Sequence, residues 1–352
     1  MALEDRIGEL AGEVRPLDEG AVVRARERHL TLTKPPGSLG RLEEIGARLA
    51  GMAGEVPPPV PESPAVVICA GDHGVLARGV SPWRQEVTAA MVRNFCAGGA
   101  AANTLARSVG ARVSVLDVGV ASELARHPLL RAAKKRAGTD DFSRGPAMDR
   151  EDAARAVMAG AGIAGELIES GVDLLVPGDM GIANTTPAAA LISAFTGRSP
   201  EETTGRGTGV DDETLELKVR VVEEALRLHE PDLTDPLGVL ATLGGLEHAA
   251  IAGLILTSAV YGVPVILNGV VSNSAALVAR ALAPDCVGYA IAGHLSVEPG
   301  AAAALEYLDL DPILDLRMRL GEGSGGLLAV PIVQAAARVL GEMATMEEMG
   351  IG

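Results

Sequence analysis

The sequence predicts an α/β protein organised on a doubly wound parallel sheet, and three observations carry that prediction. From Ala65 onward, short apolar runs alternate with longer amphipathic segments, the pattern of strands joined by crossover helices. Hydrophobic residues make up 48% of the 352-residue chain but aromatics only 2%, with 43 glycines, which suits helices packed closely on a sheet better than an aromatic-rich β-sandwich. The residues that would follow each strand are polar, and ligands of open α/β sheets bind beyond the carboxyl ends of the strands.

In chain order, residues 3–34 read as helical until Pro35, Pro36 and Gly37 force a break. Ser38 is expected to cap a second helix running to about Met52, and 54–64, GEVPPPVPESP, reads as a stiff extended linker. Strands are expected at 65–70, 112–118, 173–178, 264–269 and 288–293. Helices are expected at about 84–108, 150–170, 186–197, 212–230, 236–261, 273–283, 300–307 and 328–346. The last of these is expected to return to the N-terminal helices, so that 1–64 and 328–352 form a small helical domain around a main domain of 65–327.

A formal net charge of −16 argues against nucleic-acid or anionic-membrane partners, which need a basic face, so any phosphate must be held locally. Cys69, Cys96 and Cys286 are widely spaced and form neither a disulfide framework nor a zinc ribbon, which points to a reducing cytoplasm. The charged N-terminus MALEDRIGEL lacks the apolar core of a secretory signal. The apolar run 238–265 is interrupted by Glu247 and His248 and reads as a buried helix rather than a membrane span.

The stretch LDLRMRLGEGSGG, Leu314 to Gly326, sets one carboxylate, Glu322, among glycines ahead of a helix. A carboxylate on such a turn suits a general base reaching into a pocket, though a glycine turn bearing a solvated Glu reads equally well from the stretch alone. Gly321, Gly323 and Gly326 also satisfy G-x-G-x-x-G. Glu322 would place negative charge against a pyrophosphate, and too little chain follows for a βαβ unit, so the dinucleotide reading is set aside. After the first strand come Asp72 and His73, expected to line a pocket, then Ser81 and Gln85. After the third strand, Asp179, Gly181, Asn184, Thr185 and Thr186 lead into a helix, where an anion site and ordinary capping compete. TTGRGTGVDDE leads to Lys218, whose spacing favours a solvated helix face. His294, Ser296 and Glu298 follow the last strand, and no HExxH, HxH or Walker A motif is present, so neither a metal nor a cofactor is expected.

Together the strings LTKPPGSLGRLE, GDHGV, GVSPWRQEVT, RGPAM, GDMGIANTTPAA, GRGTGVDD, GGLEHAAIAG, AGHLSVEPG, MRLGEGSGG and EMATMEEMGI resemble the nicotinate-nucleotide:dimethylbenzimidazole phosphoribosyltransferases of cobalamin nucleotide-loop synthesis, in that family's order and over nearly the whole chain. The resemblance implies a Rossmann-like domain with a helical domain from both termini, a homodimer, and nicotinate mononucleotide and a benzimidazole-type base as substrates. It implies Glu322 as catalytic base, Ser81 and Gln85 at the base pocket, and Asp179, Gly181, Asn184, Thr185, Thr186, Lys218, Ser296, Arg319 and Gly323 near the nucleotide and its phosphate. The chain departs from the family pattern at Asp179, Ala183, Asn268 and Leu295, where Glu, Gly, Asp and Arg are usual.

Overall fold

Strands covered by helices on both faces need apolar side chains on both faces, and the longest central strand meets that condition: every residue of β1 (Pro64–Gly71) is buried. A computed structural model describes residues 2–350. Its six strands are β1, β2 (Arg112–Gly119), β3 (Leu130–Ala132), β4 (Leu174–Met180), β5 (Val265–Leu267) and β6 (Ala290–Ala292). They form one parallel sheet in the order β3-β2-β1-β4-β5-β6. The winding reverses between β1 and β4, whose register pairs Cys69 with Asp179 and Ala70 with Met180. From their carboxyl ends the chain goes on to β2 on one side and to β5 on the other, which makes this the switch point at which doubly wound sheets take ligands in a crevice.

Helices α1 (Leu3–Glu13), α2 (Glu19–Thr31) and α3 (Arg41–Ala53) precede the sheet, and α4 (Glu86–Ala97) and α5 (Ala101–Ser108) connect β1 to β2. α6 (Arg150–Glu169) leads into β4, and α7 (Thr185–Thr196), the single turn α8 (Pro200–Thr203), α9 (Asp212–His229), α10 (Pro236–Leu243) and α11 (Leu246–Val260) lie between β4 and β5. α12 (Val270–Leu282) joins β5 to β6, and α13 (Pro299–Leu308) and α14 (Ser324–Glu342) follow the sheet. α14 is long and apolar enough to cross a bilayer by composition, but 56% of its most apolar window is buried inside the fold.

Several expected elements are divided. The first helix breaks before Asp18, whose side chain accepts from the Ala21 N–H (2.8 Å) to start α2, with Pro16 two residues ahead. The 84–108 segment divides at Gly98, left-handed at φ 79°, and the 236–261 segment divides at Gly244 and Gly245. Ser38 does not cap α3: its N–H donates to Pro35 O within a turn, and the helix starts at Arg41 after Gly40. α14 begins at Ser324, four residues before the expected start. β3 has only three residues, none of them buried, too short a run for an apolar period to show, which is why the sequence does not announce it.

The chain ends meet through an antiparallel bridge between Leu32 and Thr345, and Val22, Ala25, Ala47, Ala50 and Leu340 form a second apolar cluster beside the main core. In the main core, α6 and α11 approach until backbone touches backbone. A methyl group at Gly160 would collide with the Ala250 carbonyl, and one at Gly253 with the Val157 carbonyl. Gly253→Ala is therefore expected to lower stability by about 1–3 kcal/mol, the usual cost of overpacking a filled core. Urea denaturation of the wild type and variant at one pH would measure it, and an unchanged midpoint would mean the helices can slide apart without cost.

Candidate active site

The crevice encloses about 740 Å³, part of it open to solvent, and three helices of at least twelve residues start at its wall. Thr185 opens α7, Val270 opens α12 and Ser324 opens α14, and all three line the crevice. Helix N-termini present positive dipole ends and free N–H groups to an anion. At α14 the Asn268 side chain intervenes, its Oδ1 accepting from Gly325 N–H (2.7 Å) and Gly326 N–H (3.4 Å).

Lys218 adds a full positive charge. It belongs to the buried stripe of α9 with Val221, Val222 and Ala225, and its ammonium donates to Thr185 Oγ1 (3.0 Å) and Gly205 O (2.6 Å). The solvated face expected from spacing is thus corrected, because positions 218, 221, 222 and 225 share one helix face. Burial pushes the ammonium down to about 8, with the Glu298 carboxylate opposing that shift. Glu298 Oε1 also accepts from Gly207 N–H (2.7 Å), while Arg319 Nη1 donates to Gly207 O (2.8 Å). The glycine loop between α8 and α9 is thereby pinned from both sides over Lys218.

Two carboxylates stand nearby, Asp179 on the crevice wall and Glu322 buried behind it. Asp179, at the end of β4, is pushed up to about 7 by burial, although Asn184 Nδ2 donates to its Oδ2 at 3.0 Å and the nearby Glu247 and Glu322 charges raise it further. Gly321, Glu322 and Gly323 all have left-handed backbones, at φ 82°, 62° and 84°. Glycine adopts that region freely, but Glu322 is strained there. The turn lies against Gly178 of β4, where a Cβ would sit 2.8 Å from the Glu322 carbonyl. Glu322 is 5% exposed, and its Oε2 accepts from the Ala102 N–H at the start of α5 (3.2 Å). Burial raises its pKa, while the Ala102 bond pulls the other way.

Of the twelve residues that the resemblance implies for the site, Ser81, Asp179, Gly181, Asn184, Thr185, Lys218, Ser296 and Arg319 come together on the crevice wall. Four do not. Glu322 turns its carboxylate to α5 while its neighbours Gly321 and Ser324 line the crevice; Gly323 packs on Val66 and Val176; Thr186 is fully buried; Gln85 is exposed at the start of α4. Asp72 and His73 do not line the crevice. His73 is buried and pairs its Nε2 with Glu247 Oε1 at 2.7 Å, since the α11 start lies closer to its ring than solvent does. Arg206, Asn268, His294, Glu298 and Ser324 line the crevice without having been assigned to it, although each stands just after a strand, in a glycine loop or at a helix start. Ala183 is left-handed at φ 77°, a conformation that glycine adopts more freely. Among the described residues no group of His, Cys, Asp and Glu is placed to hold a metal ion.

Positive helix ends and cations face the Asp179 carboxylate, of raised pKa, across a switch-point crevice with Glu322 buried behind its wall, a layout that suits an α/β enzyme acting on an anionic ligand beside a group able to hold a proton. A family profile described as "Phosphoribosyltransferase" matches residues 14–351. The nicotinate-nucleotide–dimethylbenzimidazole phosphoribosyltransferase of Salinispora tropica is 54% identical, over 96% of this chain and 97% of its own. That of Chloroflexus aggregans is also 54% identical, over 96% of each chain. The crystal structure of the Thermus thermophilus enzyme of the same name superposes with a TM-score of 0.91 at 47% identity, covering 96% of this chain and 99% of that one. The chain belongs to the nicotinate-nucleotide–dimethylbenzimidazole phosphoribosyltransferase family.

Inorganic phosphate is expected to raise the melting temperature of the wild type and to do so less for Lys218→Met. Only the ammonium form attracts the anion, so the increment should fade as pH rises through about 8. Scanning calorimetry with and without phosphate at pH 7 and pH 9 reads both effects, and an equal increment for both proteins would remove Lys218 from anion binding.

Proposed function

We propose that this chain transfers the phosphoribosyl group of nicotinate mononucleotide to 5,6-dimethylbenzimidazole, giving α-ribazole 5′-phosphate and nicotinate for the nucleotide loop of cobalamin. The observation that carries this reading is likeness, over nearly the full length of both chains, to relatives bearing that name. The anion-attracting crevice supports it. Lys218, Arg319, Ser296 and the start of α7 at Asn184, Thr185 and Thr186 are the proposed hold on the phosphate, with Asp179 and Gly181 beside the nucleotide and Gly323 setting the turn. Ser81 on the crevice wall and Gln85 on the exposed turn after it are the proposed contacts to the acceptor base.

Nicotinate mononucleotide carries a pyridinium leaving group, so the C1′–N bond breaks with its electron pair neutralising that nitrogen. No acid is required at that end. One ring nitrogen of the benzimidazole attacks C1′ from the opposite face, which turns a β-nucleotide into an α-ribotide, and the N–H of the other nitrogen becomes acidic as it does so. Glu322 is the proposed acceptor of that proton. Burial that raises its pKa strengthens it as a base near neutrality, and the Ala102 N–H on Oε2 leaves Oε1 to take the proton. Holding both rings in one crevice supplies orientation that solution lacks. The same reading carries a homodimer and a cytoplasmic location; three free thiols accord with the latter.

Purified protein given nicotinate mononucleotide and 5,6-dimethylbenzimidazole is expected to release nicotinate and α-ribazole phosphate in equal amounts. No product with this base or a panel of other azoles would overturn the reading. Glu322→Gln is expected to lower kcat by about 10²–10⁴-fold, the usual worth of a general base, with KM for the nucleotide little changed. Because the carboxylate must be ionised to act and its pKa is raised, activity should decline with falling pH at a higher pH than an ordinary glutamate would give. Stopped assays from pH 5 to 8 follow that limb, and a variant turning over like the wild type would strip Glu322 of the role.

A further inference from the structure

His294 stands in the crevice wall with Asn268, Ser296, Lys218 and Arg319, and is 4% exposed. Its Nδ1 lies 3.2 Å from the Asn268 carbonyl oxygen. A carbonyl only accepts, so Nδ1 carries the hydrogen, and in the neutral ring Nε2 is left with a lone pair. That Nε2 is buried and has no hydrogen-bond partner. The ring is also held in place: a Cβ at Gly325 would fall 2.7–2.8 Å from its Cβ, Cγ and Nδ1, and the flanking backbone is tied by Leu314 N–H to Gly293 O (3.1 Å) and Leu295 N–H to Leu314 O (2.8 Å). A buried polar atom left unpaired costs stability, and such an atom in a ligand crevice marks where the ligand supplies its partner.

The ligand's chemistry selects the group. If the reaction is the one proposed above, on which this inference rests, the donor substrate is a mononucleotide. Its phosphate is largely dianionic near pH 7.5 and its nicotinate carboxylate is ionised, so both only accept, while the alkylated pyridinium nitrogen has no hydrogen. Its two ribose hydroxyls are the groups left that can donate. We propose that His294, through Nε2, accepts a hydrogen bond from a ribose hydroxyl of the phosphoribosyl donor and makes this enzyme discriminate against deoxyribonucleotides. Asn268 acts on this contact from behind, its backbone setting the imidazole tautomer while its side chain holds the start of α14.

The test pairs the side chain with the hydroxyl. Steady-state kinetics at pH 7.5 would compare nicotinate mononucleotide with its 2′-deoxy and 3′-deoxy analogues on the wild type and on His294→Ala. For one of the two analogues the wild-type kcat/KM is expected to fall about 10–100-fold, the range for losing a designed polar contact. In His294→Ala that penalty should shrink to within about threefold, the two losses being one and the same contact. His294→Gln, which retains an acceptor, should keep part of the discrimination. A role in holding the fold alone would lower activity equally on all three substrates. Equal discrimination by the wild type and His294→Ala overturns the proposal, and so does a wild type indifferent to both missing hydroxyls, which needs no folded variant. If the wild type binds nicotinate mononucleotide without turning it over, the reaction is wrong, and the same comparison of Kd values by calorimetry still decides the histidine.

Discussion

The site depends on a close backbone approach: the turn Gly321–Glu322–Gly323 lies directly on β4 at Gly178. Three consecutive left-handed residues are needed to make that turn, and only the middle one bears a side chain. Any Cβ at Gly178 would push the turn off the strand, and one at Gly321 would meet the Asp179 carboxylate at 2.9 Å. Because the turn is seated there, α14 starts at the crevice, the Asn268 amide caps it, and the Asp179 and Glu322 carboxylates come near enough for the charge of one to act on the other.

A chain of net charge −16 attracts anions only where local fields outweigh the global one. The crevice does so by burial. Lys218 is taken out of water into the stripe of α9, with Thr185 and a backbone carbonyl to hold its ammonium, and the cost of that desolvation appears as its lowered pKa. Glu298 offsets part of the cost while anchoring Gly207. The same desolvation raises Asp179 and Glu322 and readies them to hold protons. One physical term thus tunes the cation toward release of a proton and the carboxylates toward uptake.

Much of this was legible in the sequence. The alternation beyond Ala65 announced the parallel sheet, and the polar residues after the strands announced the crevice at Ser81, Asp179–Thr185 and Ser296. Helix breaks were harder to see, since Gly98 and the pair Gly244–Gly245 stand inside patterns that remain apolar and periodic across them. His73 was legible as polar but not as buried: its partner Glu247 is 174 residues away, and local sequence carries no information on a contact of that separation.

By itself, the sequence determined the fold class and the family, because hydrophobic period and ordered motifs are local properties of the chain. It also determined which backbone positions could be left-handed, through Gly321 and Gly323. Only the tertiary structure decided which polar atoms lose water together. Burial of Lys218 against Thr185, the turning of Glu322 onto Ala102, and the unpaired Nε2 of His294 beside Asn268 all depend on segments distant in the chain meeting across the ends of β1, β4 and β5. Desolvation sets the chemistry of such groups, and it exists only once the surrounding atoms have been packed around them.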